Sequence, residues 1–120
     1  MFHYEGVTLL EASGAARTYR ARLRLEPSSP LLAGHFPGQP ILPAIAHLGL
    51  ALEGARRLEQ RDITLLGVRG IRFRRPVEPG AALELVVTQG VEAGALRFEL
   101  RCAETLASSG TLVVRADARG

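Results

Sequence analysis

Residues 34 to 43 of this 120-residue chain read Gly-His-Phe-Pro-Gly-Gln-Pro-Ile-Leu-Pro, and an apolar segment with helical spacing follows, from residue 44 to about residue 58. Each proline fixes its own φ at about −65° and favours extended backbone in the residue before it. Pro43 suits the first turn of a helix, where its missing N–H is not needed. The first N–H groups of that helix are then free to bind a carbonyl oxygen or an anion. His35 next to such donors marks a candidate site, although a solvated histidine in an ordinary loop also fits the composition.

The order of residues in this stretch is similar to the signature of the β-hydroxyacyl-(acyl carrier protein) dehydratases, which have the hot-dog fold. The residues that carry the likeness are His35, Phe36, Pro37, Gly38, Pro40, Ile41, Leu42 and Pro43. A weaker likeness covers residues 68–80, which resemble the family's strand after the central helix, closed by a Pro-Gly turn. The resemblance reaches in all from about residue 31 to residue 87.

The rest of the chain predicts strands on both sides of one helix. The predicted strands are residues 3–11, 17–26, 64–77, 82–91, 96–104 and 106–116, with turns at 79–80, 93–94 and 108–110. The second strand alternates most clearly, with Arg20, Arg22 and Arg24 on one face and Tyr19, Ala21, Leu23 and Leu25 on the other. This order predicts an α+β architecture. It agrees with the hot-dog fold, an antiparallel sheet wrapped around one long central helix, with residues 1–120 as a single domain.

The helix is apolar nearly all round, which predicts burial on most of its sides. Its helical repeat is Ile45, Leu48, Leu52 and Ala55, and further apolar residues fill much of the remaining surface. Glu53 and Arg57 have the i,i+4 spacing of a surface ion pair, so we expect the end of the helix to be solvated.

Composition excludes several classes of protein. The net charge of +3 is carried by fifteen arginines and no lysine, interleaved with acids and accompanied by few aromatic residues, which is not typical of a nucleic-acid-binding protein. No apolar run approaches the ~18 residues of a membrane span, and the N-terminus has no signal pattern, so we expect a cytoplasmic protein. The lone Cys102 suits a small strand residue, and the three histidines lack the spacing of a metal site.

The resemblance also implies a reaction and its residues. His35 would be the base that removes the C2 proton of a 3-hydroxyacyl thioester, and the N–H of Ala44 would bind the thioester oxygen. Gly38 would let the chain pass close to the substrate. The other residues expected to line the substrate are Phe36, Pro43 and Gly49. The resemblance implies no metal and no diffusible cofactor, because the substrate is carried on the phosphopantetheine of an acyl carrier protein.

The sequence differs from the family at the position of the general acid. The family has a Glu or Asp fourteen residues after the histidine, reaching the neighbouring subunit's site, and this chain has Gly49 there. Glu53, one turn further on, is one candidate for the acid, and a surface pair with Arg57 is its alternative role. His47 lies roughly 200° round the helix from Gly49, which favours a buried, hydrogen-bonded histidine over an acid. Otherwise water or the substrate fills the gap, or no dehydration takes place.

These alternatives leave three functions open. The first is a dehydratase-like enzyme of fatty-acid, polyketide or polyene-type synthesis. The second is a catalytically degenerate subunit that binds acyl chains or pairs with an active homologue, and the third is an acyl thioesterase. The resemblance implies a homodimer or higher oligomer with sites between the subunits, and a heterodimer with a homologous dehydratase is an alternative. Arg72, Arg74 and Arg75 are candidates for docking the acidic carrier protein, or they form a solvated strand face.

Overall fold

The computed structural model describes residues 2–11, 17–26 and 41–117, and these contain one helix and six strands. In chain order they are β1 (Phe2–Glu11), β2 (Arg17–Leu25), α1 (Ala44–Glu59), β3 (Ile63–Phe73), β4 (Ala82–Gln89), β5 (Ala95–Cys102) and β6 (Thr105–Ala116). The strands form one antiparallel sheet in the order β1-β2-β4-β5-β6-β3. The predicted α+β architecture is confirmed.

Strand β2 has the predicted alternation. The residues buried on its inner face are Tyr19, Ala21, Leu23 and Leu25. The arginines on its outer face are exposed, and two of them form ion pairs across the sheet, Arg20 with Glu84 at 3.1 Å and Arg24 with Glu5 at 3.3 Å. The arginine row is therefore a solvated, partly paired surface.

Helix α1 packs on β2, β4 and β5, with a fully buried face that includes only Ala55 of the helical repeat noted in the sequence. The buried face consists of His47, Leu50, Ala51, Gly54, Ala55 and Leu58. Gly54 determines this choice, because a Cβ there would lie 2.9 Å from Leu85 Cδ2 and 3.0 Å from Val87 Cγ2, so only a glycine lets the helix approach the sheet this closely. Leu48 and Leu52 are partly buried against the core, as expected for a helix that is buried on most of its sides, but Ile45 is 73% exposed.

The predicted turn at residues 108–110 is also wrong. Ser108, Ser109 and Gly110 lie inside β6 and are buried, and the connection from β5 to β6 is made by Ala103, with φ of 57°, and Glu104. Gly110 is needed for packing, since a Cβ there would collide with Ile71 of β3. Cys102 is the last residue of β5 and is partly buried, as predicted.

Strand β3 ends at Phe73, four residues before the predicted end. Beyond it the backbone N–H groups of Arg74 and Arg75 both donate to the carbonyl of Ala107, at 2.8 and 3.3 Å. In a regular β-ladder one carbonyl would not accept from two successive N–H groups in this way. Pro76 has no N–H and therefore cannot continue the β-ladder. The segment leaves the sheet and passes the start of α1, which places two arginines beside the helix N-terminus.

Candidate active site

The predicted site falls partly outside the described residues. His35, Phe36 and Gly38 lie in the segment that the structure does not describe. Pro43 and Ala44, which end the motif, stand at the start of α1: Pro43 is the N-cap, with extended backbone (φ −64°, ψ 153°), and Ala44 is the first helical residue. The helix start expected from the sequence is confirmed.

The N-terminus of α1 offers backbone donors. The first N–H groups of a helix have no acceptor within it, and among the described residues no side chain caps them and no acid lies in the first turn. The N–H of Leu42 donates to the carbonyl of Val77 at 2.8 Å, which ties the start of the helix to the loop before β4. Donors held in place in this way, at the positive end of a helix dipole, suit an oxygen that carries negative charge.

A cleft of about 330 Å³ opens at this helix end. Its walls come from the residues just before α1, from the first turn of α1, and from the end of β3 with the segment that follows. The residues that line it are Ile41, Leu42, Ala44, His47, Phe73, Arg74, Arg75 and Pro76. The walls are mainly apolar, with a histidine and two arginines as the ionisable groups, a composition that suits an acyl chain attached to a polar or anionic head.

His47 is the buried polar residue of this cleft, 3% exposed. Its Nδ1 lies 2.9 Å from the hydroxyl oxygen of Ser108, and its ring meets Phe73 edge-on, with 5.3 Å between the ring centres. Burial lowers the pKa of His47, and hydrogen bonding with the Leu42 backbone opposes that shift. The expectation of a buried, hydrogen-bonded histidine is confirmed.

The two arginines of the cleft are exposed. Their guanidinium groups have no acidic partner among the described residues, whereas Arg69, earlier in β3, pairs with Glu92 at 3.0 Å. Together with the positive end of the helix dipole, they make the mouth of the cleft electropositive.

Gly49 and Glu53 lie away from this cleft. Gly49 is exposed, and a Cβ built on it would have no atom within 4 Å. Glu53 accepts from Arg57 Nε at 3.3 Å and lies 3.7 Å from Arg56 Nη1, so its carboxylate is part of the predicted surface pair. The described part of the chain therefore brings Pro43, Ala44 and His47 together at the start of α1, but not the Glu53 carboxylate.

Sequence reasoning missed Ser108 and Phe73 as parts of the site. A signal for Ser108 was present: Leu112 and Val114 face the core, and the strand period of two carried back from them puts residues 110 and 108 on the same face. The Ser-Ser-Gly sequence favoured a turn instead. Phe73 gave no signal, because its place depends on where β3 ends.

Comparison with known proteins shows the class. The ApeI-like family model, described as ApeI dehydratase, matches residues 11–111. The 3-hydroxyacyl-[acyl-carrier-protein] dehydratase FabZ of Thermomicrobium roseum is 39% identical over 70 residues, which cover 52% of this chain and 47% of that protein. The chain spans about half the length of the curated relatives that it matches.

Solved structures agree on the fold. An uncharacterized protein from Erwinia carotovora subsp. atroseptica superposes with a TM-score of 0.87 at 25% identity, over 97% of both chains. The dehydratase heterocomplex ApeI:P from Xenorhabdus doucetiae gives 0.76 at 23% identity, over 92% of this chain and 98% of that one.

The helix and the sheet have the hot-dog fold, and the family match confirms the resemblance to the hot-dog dehydratase family seen in the sequence. More narrowly, the chain belongs to the ApeI-like dehydratase family.

Two further findings apply to the described residues. Their one helix, α1, is not long and apolar enough to cross a membrane. They also contain no cluster of three or more side chains that could bind a metal ion.

Proposed function

We propose that this protein removes water from 3-hydroxyacyl thioesters carried on the phosphopantetheine of an acyl carrier protein, in fatty-acid, polyketide or polyene-type synthesis. The observation that carries the proposal is the cleft at the N-terminus of α1, where uncapped backbone donors directly follow the His-Phe-Pro-Gly motif. The FabZ dehydratase to which the chain is similar acts on 3-hydroxyacyl-carrier-protein substrates, as its name states. No metal or diffusible cofactor takes part in this proposal.

The proposed reaction uses His35 as the base. His35 takes the C2 proton, the electrons of the C2–H bond form the C2=C3 double bond, and the C3–O bond breaks to release the hydroxyl group. Negative charge develops on the thioester oxygen during proton removal, and the N–H of Ala44 stabilises it there. Phe36, Gly38 and Pro43 would hold the acyl chain and the thioester beside these groups.

The released hydroxyl group needs a proton to leave as water, and the donor is the unusual part of this site. The Glu53 carboxylate is paired with Arg56 and Arg57 on the surface of the helix and does not line the cleft, which makes it a weak candidate. Residue 49 leaves open space instead of a carboxylic acid. Because the family's acid at this position reaches the neighbouring subunit's site, we propose that solvent delivers the proton at that site in a dimer. A general acid typically contributes 10²–10⁴-fold to the rate, so the protein is expected to be a slow dehydratase.

The proposed dehydration is tested through its reverse reaction, the hydration of a small enoyl thioester. The purified protein is incubated with an enoyl-pantetheine thioester, and hydration is followed as the loss of the conjugated thioester's ultraviolet absorption. Enzyme-dependent hydration supports the proposal. Hydrolysis of the thioester, seen as free thiol, would instead indicate the thioesterase alternative, which no feature of the cleft favours.

We further propose that the protein forms a homodimer through β3. This strand has one hydrogen-bonded neighbour among the described strands, β6, and so leaves one edge open. The exposed apolar residues on β3 and on the adjoining helix start are Leu65, Leu66, Val68, Phe73 and Ile45. A long apolar edge strand is a template for pairing with another chain. A second copy would also cover Ile45, which would account for a helix that is apolar nearly all round.

Val68→Asp is expected to turn the dimer into a monomer and to lower the rate of dehydration in proportion to the dimer that is lost. A carboxylate buried at the strand edge without a partner is costly. Size-exclusion chromatography with light scattering measures the mass. The matched control is Val91→Asp, since Val91 is fully exposed in the hairpin between β4 and β5. A Val68→Asp protein that remains dimeric would refute pairing through β3.

The electropositive mouth of the cleft is proposed to receive the acidic carrier protein and the phosphate of its phosphopantetheine. Arg74 and Arg75 contribute charge directly at the cleft, and Arg72 lies on β3, two residues before Arg74. The combined change Arg74→Gln and Arg75→Gln is expected to raise KM for the carrier-bound substrate about tenfold and to leave kcat unchanged, because the charges act on association.

The control for the arginines is Arg97→Gln, an exposed arginine on β5, which lies outside the cleft. It removes one guanidinium from another part of the surface, and its KM should stay near the wild-type value. The effect of Arg74 and Arg75 should also shrink with rising salt. An unchanged KM in the double variant would show that Arg74 and Arg75 do not bind the carrier protein and are only solvent-exposed residues.

The second candidate is a subunit without activity of its own, which binds acyl chains or pairs with an active homologue. Gly49 favours it, since no carboxylate is present at this position. One structure with this fold is a dehydratase heterocomplex, and a heterodimer of this chain would bring a partner's carboxylate to the cleft. In that case the pure protein would bind acyl thioesters without turnover, and adding a homologous dehydratase would restore it.

A further inference from the structure

His47 and Ala44 face the same cleft from one turn of α1. They are three residues apart, a spacing that puts residues on the same face of a helix. The Cα–Cβ bonds of a helix tilt toward its N-terminus, so the ring of His47 covers the turn that begins at Ala44. Both residues line the cleft. An oxygen bound by the backbone N–H of Ala44 would therefore lie on the side of the helix that carries the His47 ring.

Ser108 orients this ring. Its hydroxyl oxygen is 2.9 Å from Nδ1 of His47, and both side chains are buried. When the serine O–H donates to Nδ1, the imidazole carries its proton on Nε2 and presents an N–H donor there. A thioester oxygen would compete for this N–H with the Leu42 backbone, the other hydrogen-bond partner of the ring. Phe73, edge-on to the ring at 5.3 Å, limits its rotation. The sheet therefore fixes the direction of a side chain on the helix, and the serine O–H donating to Nδ1 is the arrangement that leaves a proton on Nε2.

We propose that the Nε2–H of His47 is a second hydrogen-bond donor to the thioester oxygen, acting beside the backbone N–H of Ala44, with Ser108 as the residue that positions it. This inference rests on the proposed function, in that the ligand is an acyl thioester. No proton is transferred by His47 in this role. The ring stays neutral and polarises the carbonyl, and the C2 proton goes to His35 as before.

A neutral donor fits this position better than a proton-donating acid. Burial lowers the pKa of His47, and the positive end of the helix dipole also disfavours a charged ring. A neutral imidazole is a poor acid but a good hydrogen-bond donor, and neutral histidines near helix N-termini polarise carbonyl groups in other enzymes. His47 therefore does not replace the acid missing at Gly49.

The test is isotope-edited infrared spectroscopy of a bound thioester. The probe is a saturated acyl-pantetheine labelled with ¹³C at its carbonyl, which has no 3-hydroxyl group and cannot eliminate water. Binding to the wild-type protein is expected to shift the carbonyl band to lower frequency. His47→Leu should lose much of this shift, Ser108→Ala should lose part of it, and His47→Gln, which keeps a neutral donor, should retain most of it.

Kinetics give a second readout. Removing one donor to a developing oxyanion costs about 10²–10³-fold in kcat, so His47→Leu should lower kcat by that amount with little change in KM. Thermal unfolding controls for stability, and if His47→Leu does not fold, Ser108→Ala decides the matter. Arg97→Gln serves as the unrelated variant and should keep the full band shift.

The outcomes separate this inference from the proposed function. A band shift that is the same in wild type, His47→Leu and Ser108→Ala overturns the role of His47, whether or not water is eliminated. A shift that depends on His47 in a protein without any turnover supports the donor and refutes the dehydratase. The absence of any shift in the wild-type protein overturns the donor even if turnover is measured.

Discussion

Gly49→Glu is expected to raise the rate of dehydration by about 10²-fold or more. The substitution puts a carboxylic acid at the position where the resembling dehydratases carry one, and a general acid contributes typically 10²–10⁴-fold. The structure has room for it, because a Cβ at Gly49 would meet no atom within 4 Å. The measurement is the initial rate of enoyl product formation from a 3-hydroxyacyl carrier protein under saturating substrate.

Two variants at the same position separate chemistry from stability. Gly49→Ala should stabilise the helix by about 1 kcal/mol, since glycine is unfavourable in a helix interior, without raising the rate. Gly49→Gln has nearly the shape of glutamate but no acidic proton, and it should also leave the rate near that of wild type. A rate increase shared by all three variants would mean that helix stability, and not the missing acid, limits turnover.

His35→Ala is expected to lower kcat by at least 10²-fold and to leave acyl-chain binding intact. The reason is that the histidine would be the base for the C2 proton, and loss of a general base removes typically 10²–10⁴-fold. The prediction rests on the sequence motif, since His35 lies outside the described residues. Steady-state kinetics give kcat, and calorimetry with a saturated acyl-pantetheine gives binding.

The matched control for His35→Ala is His3→Ala, which replaces an exposed histidine on β1 that lies outside the motif. It should keep wild-type kcat. The base is assigned wrongly if His35→Ala retains more than a tenth of the wild-type kcat. Another group would then remove the C2 proton, and His47 is unsuited to that because it is buried against Ser108 and Phe73.

Much of the fold could be predicted because its signals are local. The alternation in β2 and the proline before α1 each determine a structure within a few residues, and both predictions are confirmed. The face of α1 that packs on the sheet could not be predicted in the same way. Several of its faces are apolar, and Gly54 selects one through its fit against Leu85 and Val87 of β4, which is a contact between distant parts of the chain.

The parts of the site also differ in whether they depend on local sequence or on contacts between distant residues. The motif predicted where the helix starts, and with it the backbone donors of Ala44. The His47–Ser108 pair joins residues 61 apart in sequence, and it depends on the inner face of β6, which the Ser-Ser-Gly sequence made look like a turn. Gly49 was recognised as a departure only through the resemblance, because an exposed glycine has no chemistry of its own to signal a missing acid.

The most direct test of the central claim, that this protein eliminates water despite the missing acid, is one reaction with the unmodified protein. Purified, folded protein is incubated with a 3-hydroxyacyl carrier protein as its only protein partner, and mass spectrometry follows the loss of one water from the carried acyl group. The account predicts slow conversion that increases with protein concentration and disappears with His35→Ala. No loss of water above the protein-free background would contradict it and would favour a subunit that needs an active partner.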